Sequence, residues 1–333
     1  MLLSLFPMNS SLLPTLKSLR ITILSSGTYM ANGESLEAAL NWAFEAGYRH
    51  IDTATVYQNE EIVGKVINEW ISSGRLQRDE LFVVTKLPPS GNSPKGVDRF
   101  VKESLTKLKL DYIDLYLIHV PFGFKEDGEL HPFDSDGNVM LKMDTNHLSI
   151  WNAFERHVRS GKLRAIGLSN FNKEQVERVW ANSTIKPSVL QIEMHLFLQQ
   201  RDLVEYCKSR DIVVTAYSPL GTRAMEVLLR SIGSSKEIPD LQGHPEVLRI
   251  AKCLGKTPAQ ILLRFLLDRG VAVIPKSTSK EHIKENIQVF DFEIGEEHTK
   301  SLQALDQQEL GRIVDFTFLK GSEKHPEFPF RNV

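Results

Sequence analysis

The sequence lacks several features that would assign it to a common class of binding protein. It has only two cysteines, Cys207 and Cys253, and they form no CxxC pair, which excludes a disulfide framework and a thiolate metal site. The formal net charge of -2 gives no electrostatic reason to expect binding to nucleic acid or to an anionic membrane. No apolar run reaches the ~18 residues that a membrane-spanning helix needs. No GxG triplet occurs, so the phosphate-binding turn of doubly wound sheets is missing.

Acidic residues are also absent from the N-terminal part of the chain, where the first one is Glu34. A secretory signal carries its basic residues before an apolar run, whereas Lys17 and Arg20 follow it here. The composition suits a mitochondrial presequence better, but arginine is scarce. We therefore expect residues 1–20 to be a divergent N-terminal extension and the protein to be cytoplasmic.

The remaining sequence alternates between strand-like and helix-like patterns. With 41% hydrophobic and 25% charged residues over 333 positions, it has the composition of a globular protein with a large core. Several strand-like runs are apolar throughout, as expected of a parallel sheet that is covered on both faces. The predicted strands are Arg20–Leu24, Tyr48–Asp52, Leu81–Lys86, Tyr112–His119, Arg164–Leu168, Ser188–Gln191, Ile212–Tyr217 and Val271–Ile274.

About eight strand-then-helix units predict an α/β protein with a (β/α)8 barrel, in which a closed parallel sheet is surrounded by helices. A doubly wound sheet is the competing fold, and the missing glycine-rich turn argues against it. We expect one domain over residues 1–333, with a C-terminal tail at 315–333 that contributes to a substrate loop. The polar connection Pro121–Thr145 and the loop Gly221–Gly243, with an internal helical piece, are long enough to suggest functional roles.

Polar side chains follow the apolar runs at nearly every predicted strand end. In a parallel barrel the carboxyl ends of the strands meet at one face and form the active site. We therefore expect the side chains at these ends to converge, which are Asp52, Lys86, His119, Ser169, Asn170, Gln191, Tyr217 and Lys276.

Four residues of this region have the properties of a proton-donating site: Asp52, Tyr57, Lys86 and His119. A tyrosine with an ordinary pKa near 10 is protonated at neutral pH, and a nearby ammonium would lower that pKa and ease proton release. Asp52 would pair with Lys86, and His119 would orient a carbonyl oxygen. Such a site suits hydride addition to an aldehyde or ketone, which requires a cofactor because side chains cannot supply hydride.

Each of the four residues also has a structural interpretation when taken alone. Asp52 could cap a turn, Tyr57 could pack in a half-buried position, and His119 could be a satisfied structural histidine. Lys86 could be solvated at a strand end. Their joint placement at successive strand ends favours the functional interpretation.

The motifs GYRHIDTATVYQNE, VVTKL, DLYLIHVP, AIGLSNF, QIEMH, TAYSPLG and AVIPKS occur in this order between about Gly27 and Phe330. Together they resemble the aldo-keto reductases. The resemblance implies a monomeric barrel that reduces small carbonyl compounds with NADPH and without metal. It also implies that Asp52, Tyr57, Lys86 and His119 form the catalytic tetrad, with Tyr57 as the general acid.

The same resemblance implies a cofactor site. Ser169, Asn170 and Gln191 would bind the nicotinamide carboxamide, and Tyr217 would stack on the nicotinamide ring. Other residues would lie along the pyrophosphate, hold the 2′-phosphate or lie near the adenine. The full set of expected cofactor contacts is Gly27, Thr28, Tyr29, Asp52, Ser169, Asn170, Gln191, Tyr217, Ser218, Leu220, Thr222, Lys276, Ser277, Thr278, His282, Glu285 and Asn286.

Three positions depart from the family pattern. His282 stands where an arginine usually grips the 2′-phosphate, and histidine cannot make that bidentate contact, so discrimination against NADH should be weaker. Val120 replaces a common tryptophan and should widen the substrate pocket. Tyr29 takes the place of a second tryptophan that usually lines the pocket. The expected substrate-lining residues are Tyr29, Val56, Tyr57, His119, Val120 and Phe122, with Trp151, Phe316 and Phe318 as further candidates.

The tail IVDFTFLKGSEKHPEFPF resembles insect members of the family, which implies a bulky or steroid-like ketone as substrate. Two other functions remain open at this stage. A non-catalytic, NADPH-binding regulatory barrel could share the fold, although it would not need all four tetrad residues. A double-bond reductase is the other, but that branch of the family carries glutamate at the position of His119.

Overall fold

The structure, a computed structural model, describes residues 26–29, 31–234 and 236–330. The predicted extension over residues 1–20 and the predicted strand Arg20–Leu24 lie outside the described residues. Among the described residues the first strand begins at Ser26, and the other seven predicted strands are confirmed with shifts of one to two residues at their ends.

Eight parallel strands form the main sheet, in the order β1-β2-β3-β4-β7-β8-β9-β10. A hydrogen bond of 3.2 Å from the Gly27 amide to the Pro275 carbonyl joins the first strand to the segment after the last one. The (β/α)8 barrel is therefore confirmed. The strands are β1 Ser26–Gly27, β2 His50–Asp52, β3 Phe82–Leu87, β4 Ile113–Ile118, β7 Leu163–Ser169, β8 Val189–Glu193, β9 Val213–Tyr217 and β10 Ala272–Val273.

The two faces of the sheet bury two separate apolar layers. Side chains alternate in direction along a strand, so every second residue faces the barrel interior. The interior layer consists of Phe82, Val84, Leu115, Leu117, Ala165, Val189 and Val213. The residues between them, such as Val83 and Tyr116, pack outward against the helices in a much larger cluster.

Eleven α-helices lie in the described ranges, and their ends carry recognisable signals. Ser93 caps one helix by accepting from the Gly96 amide, with Pro94 at its first position. The predicted helical stretch Pro245–Leu267 is divided at Gly255, whose φ of 62° suits glycine, and the interruption is confirmed. The helices are α1 Gly33–Ala46, α2 Glu60–Ser72, α3 Pro94–Leu108, α4 His147–Arg159, α5 Lys173–Asn182, α6 Arg201–Lys208, α7 Arg223–Ser231, α8 Pro245–Leu254, α9 Pro258–Asp268, α10 Lys280–Asn286 and α11 Glu296–Gln303.

Three segments cover the carboxyl ends of the strands. We call residues 121–145 the hairpin segment, 218–243 the helical segment and 312–330 the tail. The hairpin segment contains a two-stranded antiparallel ladder, β5 Gly123–Phe124 and β6 Leu141–Lys142, where the sequence predicted only a polar connection. The strands are too short to show a period, which is why the pattern missed them. The helical piece predicted within 221–243 is confirmed as α7.

The tail is fixed to the barrel near both of its ends. Glu193, at the end of β8, accepts hydrogen bonds from the Ile313 and Val314 amides at 2.8 Å each. At the other end, Gln175 donates to the Glu327 carbonyl at 3.0 Å. The sequence predicted an extended tail, but the tail contains turns and a short 3-10 helix at Ser322–Lys324. No helix in the described ranges is both long and apolar enough to cross a membrane.

Candidate active site

The two-residue period of the strands carries polar side chains into the barrel above its apolar interior layer. On β3, Phe82 and Val84 belong to that layer, and Lys86 is the next residue of the same face. Leu115 and Leu117 lead in the same way to His119 just after β4. The same parity places Ser169 after Ala165 on β7, Gln191 after Val189 on β8 and Tyr217 after Val213 on β9.

An ion pair and an amide form the base of the site. The Lys86 ammonium donates to the Asp52 carboxylate at 2.5 Å and to the Thr53 carbonyl at 2.9 Å. Gln191 donates to the other carboxylate oxygen of Asp52 at 2.7 Å. The lysine and aspartate side chains are 0% and 2% exposed, so each charge depends on the other for compensation.

Tyr57 lies above this ion pair, at the end of a single 3-10 turn, Thr55–Tyr57. The Lys86 nitrogen is 5.1 Å from the centroid of the Tyr57 ring. The His119 ring meets the Tyr57 ring edge to face, with 5.7 Å between the centroids, and Tyr29 meets it from another side at 5.2 Å. The Tyr57 hydroxyl has no hydrogen-bond partner among the described residues, and the side chain lines a cavity. A ligand oxygen in that cavity can therefore accept its proton.

Burial dominates the proton affinity of Tyr57. It raises the pKa of Tyr57 well above its ordinary value, and the negative charge of Asp52 raises it further. We expected Lys86 to lower this pKa, but the net shift is upward, because burial and the Asp52 charge outweigh the Lys86 ammonium, which Asp52 compensates at 2.5 Å. The phenol is therefore protonated at neutral pH, as a proton donor must be.

The same burial makes His119 a neutral group. It lowers the pKa of His119 well below its usual value, and the positive charge of Lys86 acts in the same direction. Burial also lowers the pKa of Lys86, while Asp52 opposes that shift. His119 Nδ1 is buried and unpartnered within the described ranges. A neutral imidazole can donate one hydrogen bond to an oxygen without introducing a positive charge.

Asn170 links three strand ends beside the tetrad. Its φ of 63° is in the left-handed region, which asparagine tolerates better than most residues. Its amide donates to the His119 carbonyl at 2.9 Å and to the Ser169 hydroxyl at 3.1 Å, while its oxygen accepts from the Tyr217 hydroxyl at 2.7 Å. The bond to Asn170 holds the Tyr217 hydroxyl in place at the edge of the cavity that Tyr217 lines.

A cavity of about 980 Å³ extends across the barrel mouth, at the upper end of the range typical of ligand sites. It is lined by all but one of the residues expected to bind the cofactor, namely Gly27, Thr28, Tyr29, Asp52, Ser169, Asn170, Gln191, Tyr217, Ser218, Leu220, Thr222, Lys276, Ser277, His282, Glu285 and Asn286. Thr278 is the exception, since it is exposed and outside the lining.

The lining residues differ along the cavity in a way that suits a dinucleotide. Amide, carboxylate and phenol groups surround one part, while Lys276, Ser277 and His282 supply a cation, a hydroxyl and an imidazole to another. A phosphate prefers such donors, and an aromatic face beside amides suits a nicotinamide ring. No group of three His, Cys, Asp or Glu side chains in the described part of the chain is arranged to hold a metal ion.

Two of the expected substrate-lining residues lie elsewhere. Phe122 is fully buried and packs against Phe124, Phe316 and Phe328 beneath the tail. The expectation that it lines the substrate pocket is therefore wrong. Trp151 is buried against Phe154 on α4 and is also outside the cavity. The others that line the cavity are Tyr29, Val56, Tyr57, His119, Val120, Phe316 and Phe318.

Sequence reasoning missed several lining residues because they come from the three covering segments, namely His131, Phe133, Met225, Ile238, Val314 and Leu319. It also missed Pro89, which lies just after β3. It also missed Glu60, which is buried beneath the site and accepts from the Thr85 hydroxyl at 2.7 Å. The negative charge of Glu60 raises the pKa of Lys86 and so favours its charged form. The available signal was the position of Glu60 in the sequence, at the end of the motif that contains Asp52 and Tyr57.

Comparison with known proteins identifies relatives over nearly the whole chain. A profile described as the Aldo/keto reductase family matches residues 23–307. "Aldo-keto reductase family 1 member A1" of Bos taurus is 38% identical over 321 residues, which cover 94% of this chain and 96% of the relative. "Aldo-keto reductase family 1 member A1-A" of Danio rerio is 38% identical over 318 residues, covering 93% and 95%. "Structure of the Aldose Reductase from Schistosoma japonicum" superposes with a TM-score of 0.83 at 38% identity and covers 94% of this chain and 96% of that one.

Proposed function

This chain belongs to the aldo/keto reductase family, and from that premise we propose that it reduces aldehydes or ketones to alcohols with NADPH. The family makes the protein an oxidoreductase. The single observation that carries the finer proposal is the position of Tyr57: its unpartnered hydroxyl lines the cavity, above the Lys86–Asp52 pair and beside a neutral His119.

In the proposed reaction the four tetrad residues handle charge and one proton. NADPH, when bound, supplies the hydride that forms the new bond to the carbonyl carbon. As the carbon–oxygen double bond becomes a single bond, negative charge develops on the oxygen, and the Tyr57 hydroxyl donates its proton to it. His119 orients that oxygen through one hydrogen bond, and the Lys86 ammonium stabilises the phenolate that remains.

The proposed cofactor site uses residues that the fold already holds in place. Ser169, Asn170 and the free oxygen of Gln191 would bind the carboxamide, and Tyr217 would stack on the nicotinamide ring. Lys276 and Ser277 would hold the 2′-phosphate, assisted less strongly by His282 than by an arginine. We propose a preference for NADPH over NADH because Lys276 lines the cavity and supplies an ammonium for the additional phosphate.

The proposed substrate is a bulky, mainly apolar ketone. The covering segments contribute Phe133, Met225, Ile238, Val314 and Phe318 to the lining, and Val120 leaves space next to His119. We further propose a cytoplasmic, monomeric enzyme of one domain, in agreement with the free cysteines Cys207 and Cys253.

The test is an absorbance assay of NADPH oxidation with an aromatic aldehyde, run on the wild type and on Tyr57→Phe. We expect kcat to fall by about 10²–10⁴-fold, because the ring is kept and only the proton donor is lost. Tyr206→Phe is the matched control, since that tyrosine lies on α6 and bonds to Glu177. Unchanged activity in Tyr57→Phe would contradict the role of general acid, and a wild type that binds NADPH without oxidising it would favour the regulatory barrel.

A further inference from the structure

One imidazole of the cavity lining has no role in the proposed chemistry. His131 belongs to the hairpin segment and lines the cavity that also contains Tyr57 and His119. It is close enough to His119 that its positive charge would oppose protonation of that residue, after the effects of burial and of Lys86. His131 is therefore within electrostatic range of the reacting end of the cavity, and its side chain is open to solvent at the rim.

The backbone around His131 is held in a defined position. The carbonyl of the next residue, Pro132, accepts from the Met140 amide at 2.8 Å, and Phe133 forms a bridge with Val139. Val139 in turn donates to the Lys320 carbonyl of the tail at 2.9 Å. The hairpin segment and the tail thus fix the backbone next to His131, as a recognition residue requires.

The side chain of His131 packs against an aromatic neighbour. Its ring lies 6.1 Å from that of Phe124, at an interplanar angle of 56°, and burial lowers the pKa of His131. Neither ring nitrogen has a hydrogen-bond partner within the described ranges. Many of its neighbours in the lining are apolar, among them Phe133, Val120 and Phe316. A polar donor in such surroundings contributes to ligand orientation when a ligand atom accepts from it.

We propose that His131 is a specificity-determining residue, which donates a hydrogen bond to a second oxygen of the substrate, distant from the carbonyl that Tyr57 and His119 bind. The proposal rests on the proposed carbonyl reduction and deepens it. The favoured substrate class is a bulky ketone with a hydroxyl or a second keto group on the far side of its apolar body. A purely apolar ketone makes no such bond with His131 and gains less from the site.

The competing explanation is that the imidazole serves as a flat packing surface on Phe124. A phenylalanine would then replace it without loss of selectivity. The two explanations differ only for substrates that carry the second oxygen, so the experiment compares matched pairs of ketones. We choose 4-phenylcyclohexanone with 4-(4-hydroxyphenyl)cyclohexanone, and 5α-androstan-3-one with 17β-hydroxy-5α-androstan-3-one, because the pairs place the hydroxyl at two different distances.

The measurement is kcat/KM for both pairs with the wild type, His131→Phe and His131→Asn. In His131→Phe we expect kcat/KM to fall by about 10-fold for at least one hydroxylated ketone and to stay within about twofold for its partner. His131→Asn keeps an amide donor and should restore part of the difference. Phe133→Leu is the control, since it changes the shape of the same rim without removing a donor and should affect both members of a pair equally.

Equal changes for both members of each pair in His131→Phe, or no change at all, would overturn the proposal. Both outcomes are distinct from a failure of the proposed function, in which no ketone or aldehyde would be reduced by the wild type. Activity of His131→Phe toward the ketones without the hydroxyl shows that the variant is folded, so a selective loss cannot come from misfolding.

Discussion

The base of the site and its cover are stabilised in different ways. Asp52 and Lys86 lie at strand ends, are almost completely buried and bond to each other at 2.5 Å. In the cover, Lys236 of the helical segment pairs with Asp315 of the tail, and these side chains are 31% and 27% exposed. The first pair belongs to the barrel itself, whereas the second joins two segments that contact the barrel from outside.

This difference separates the residues proposed for catalysis, in the base, from those proposed for substrate selectivity, in the cover. Asp52 and Lys86 are fixed at strand ends by the neighbouring strands, and Tyr57 and His119 follow in the short turns just beyond β2 and β4. The groups that we propose to meet the variable part of a substrate are on segments attached by a few bonds, such as those of Glu193 to the Ile313 and Val314 amides. Changes in the base should therefore affect folding and catalysis together, and changes in the cover should affect binding alone.

The largest effect is expected in the base. Lys86→Met leaves the Asp52 carboxylate buried without its cation, so the free energy of unfolding should fall by about 3–5 kcal/mol, and kcat by at least about 100-fold. Denaturant unfolding and NADPH oxidation measure the two effects. The double variant Asp52→Asn/Lys86→Met should regain stability but not activity. A Lys86→Met variant that is both stable and active would contradict the distinction between base and cover.

An intermediate effect is expected at the cofactor end. His282→Arg adds a charged, bidentate donor beside the site proposed for the 2′-phosphate, so the Kd for NADPH should fall by about 10-fold and the Kd for NADH should not change. Fluorescence titration without substrate measures both constants. Lys284→Arg, on the same helix but outside the cavity lining, is the control. Equal tightening of both dinucleotides would refute the assignment of His282.

The smallest effect is expected in the cover. Lys236 also donates to the Ile313 carbonyl at 3.1 Å, and Met225 and Leu229 pack against Ile313, so the helical segment and the tail form one unit. Lys236→Met should raise the Kd for NADPH and the KM for ketones by about threefold, with little change in stability, since a partly exposed pair contributes about 1 kcal/mol or less.

A double-mutant cycle with Asp315→Asn should attribute that loss to the pair itself. Lys300→Met removes a fully surface-exposed pair with Glu296 on α11 and should leave both constants unchanged. A loss of stability in Lys236→Met as large as that in Lys86→Met would show that base and cover do not differ in the way described here.

The sequence predicted the base much better than the cover, for a physical reason. A two-residue period and a polar strand end are local signals, and they placed Asp52, Lys86, His119 and Gln191 correctly at the barrel mouth. Phe122 was misassigned because an aromatic residue type does not indicate which side of a segment is buried. His131 was missed because its position depends on pairing between the hairpin segment and a tail that lies nearly two hundred residues away.

The raised pKa of Tyr57 was also beyond the reach of sequence reasoning. Charge types can be read from the chain, and they suggested that a lysine would lower this pKa. The outcome instead depends on how much water is excluded and on which charge is compensated first, and both follow from the packed structure.

The attachment of the tail near both of its ends has a consequence for how this enzyme could diversify. Glu193 holds residues 313 and 314, and Gln175 and Arg178 hold Glu327, while Phe316, Phe318 and Leu319 face the cavity between them. Residues 317 to 319 are thus the part of the tail that can be exchanged while Asp315 keeps its pair with Lys236 and Phe316 stays in its aromatic cluster. A library confined to these three positions would sample new ketone preferences while both attachments and the barrel are retained.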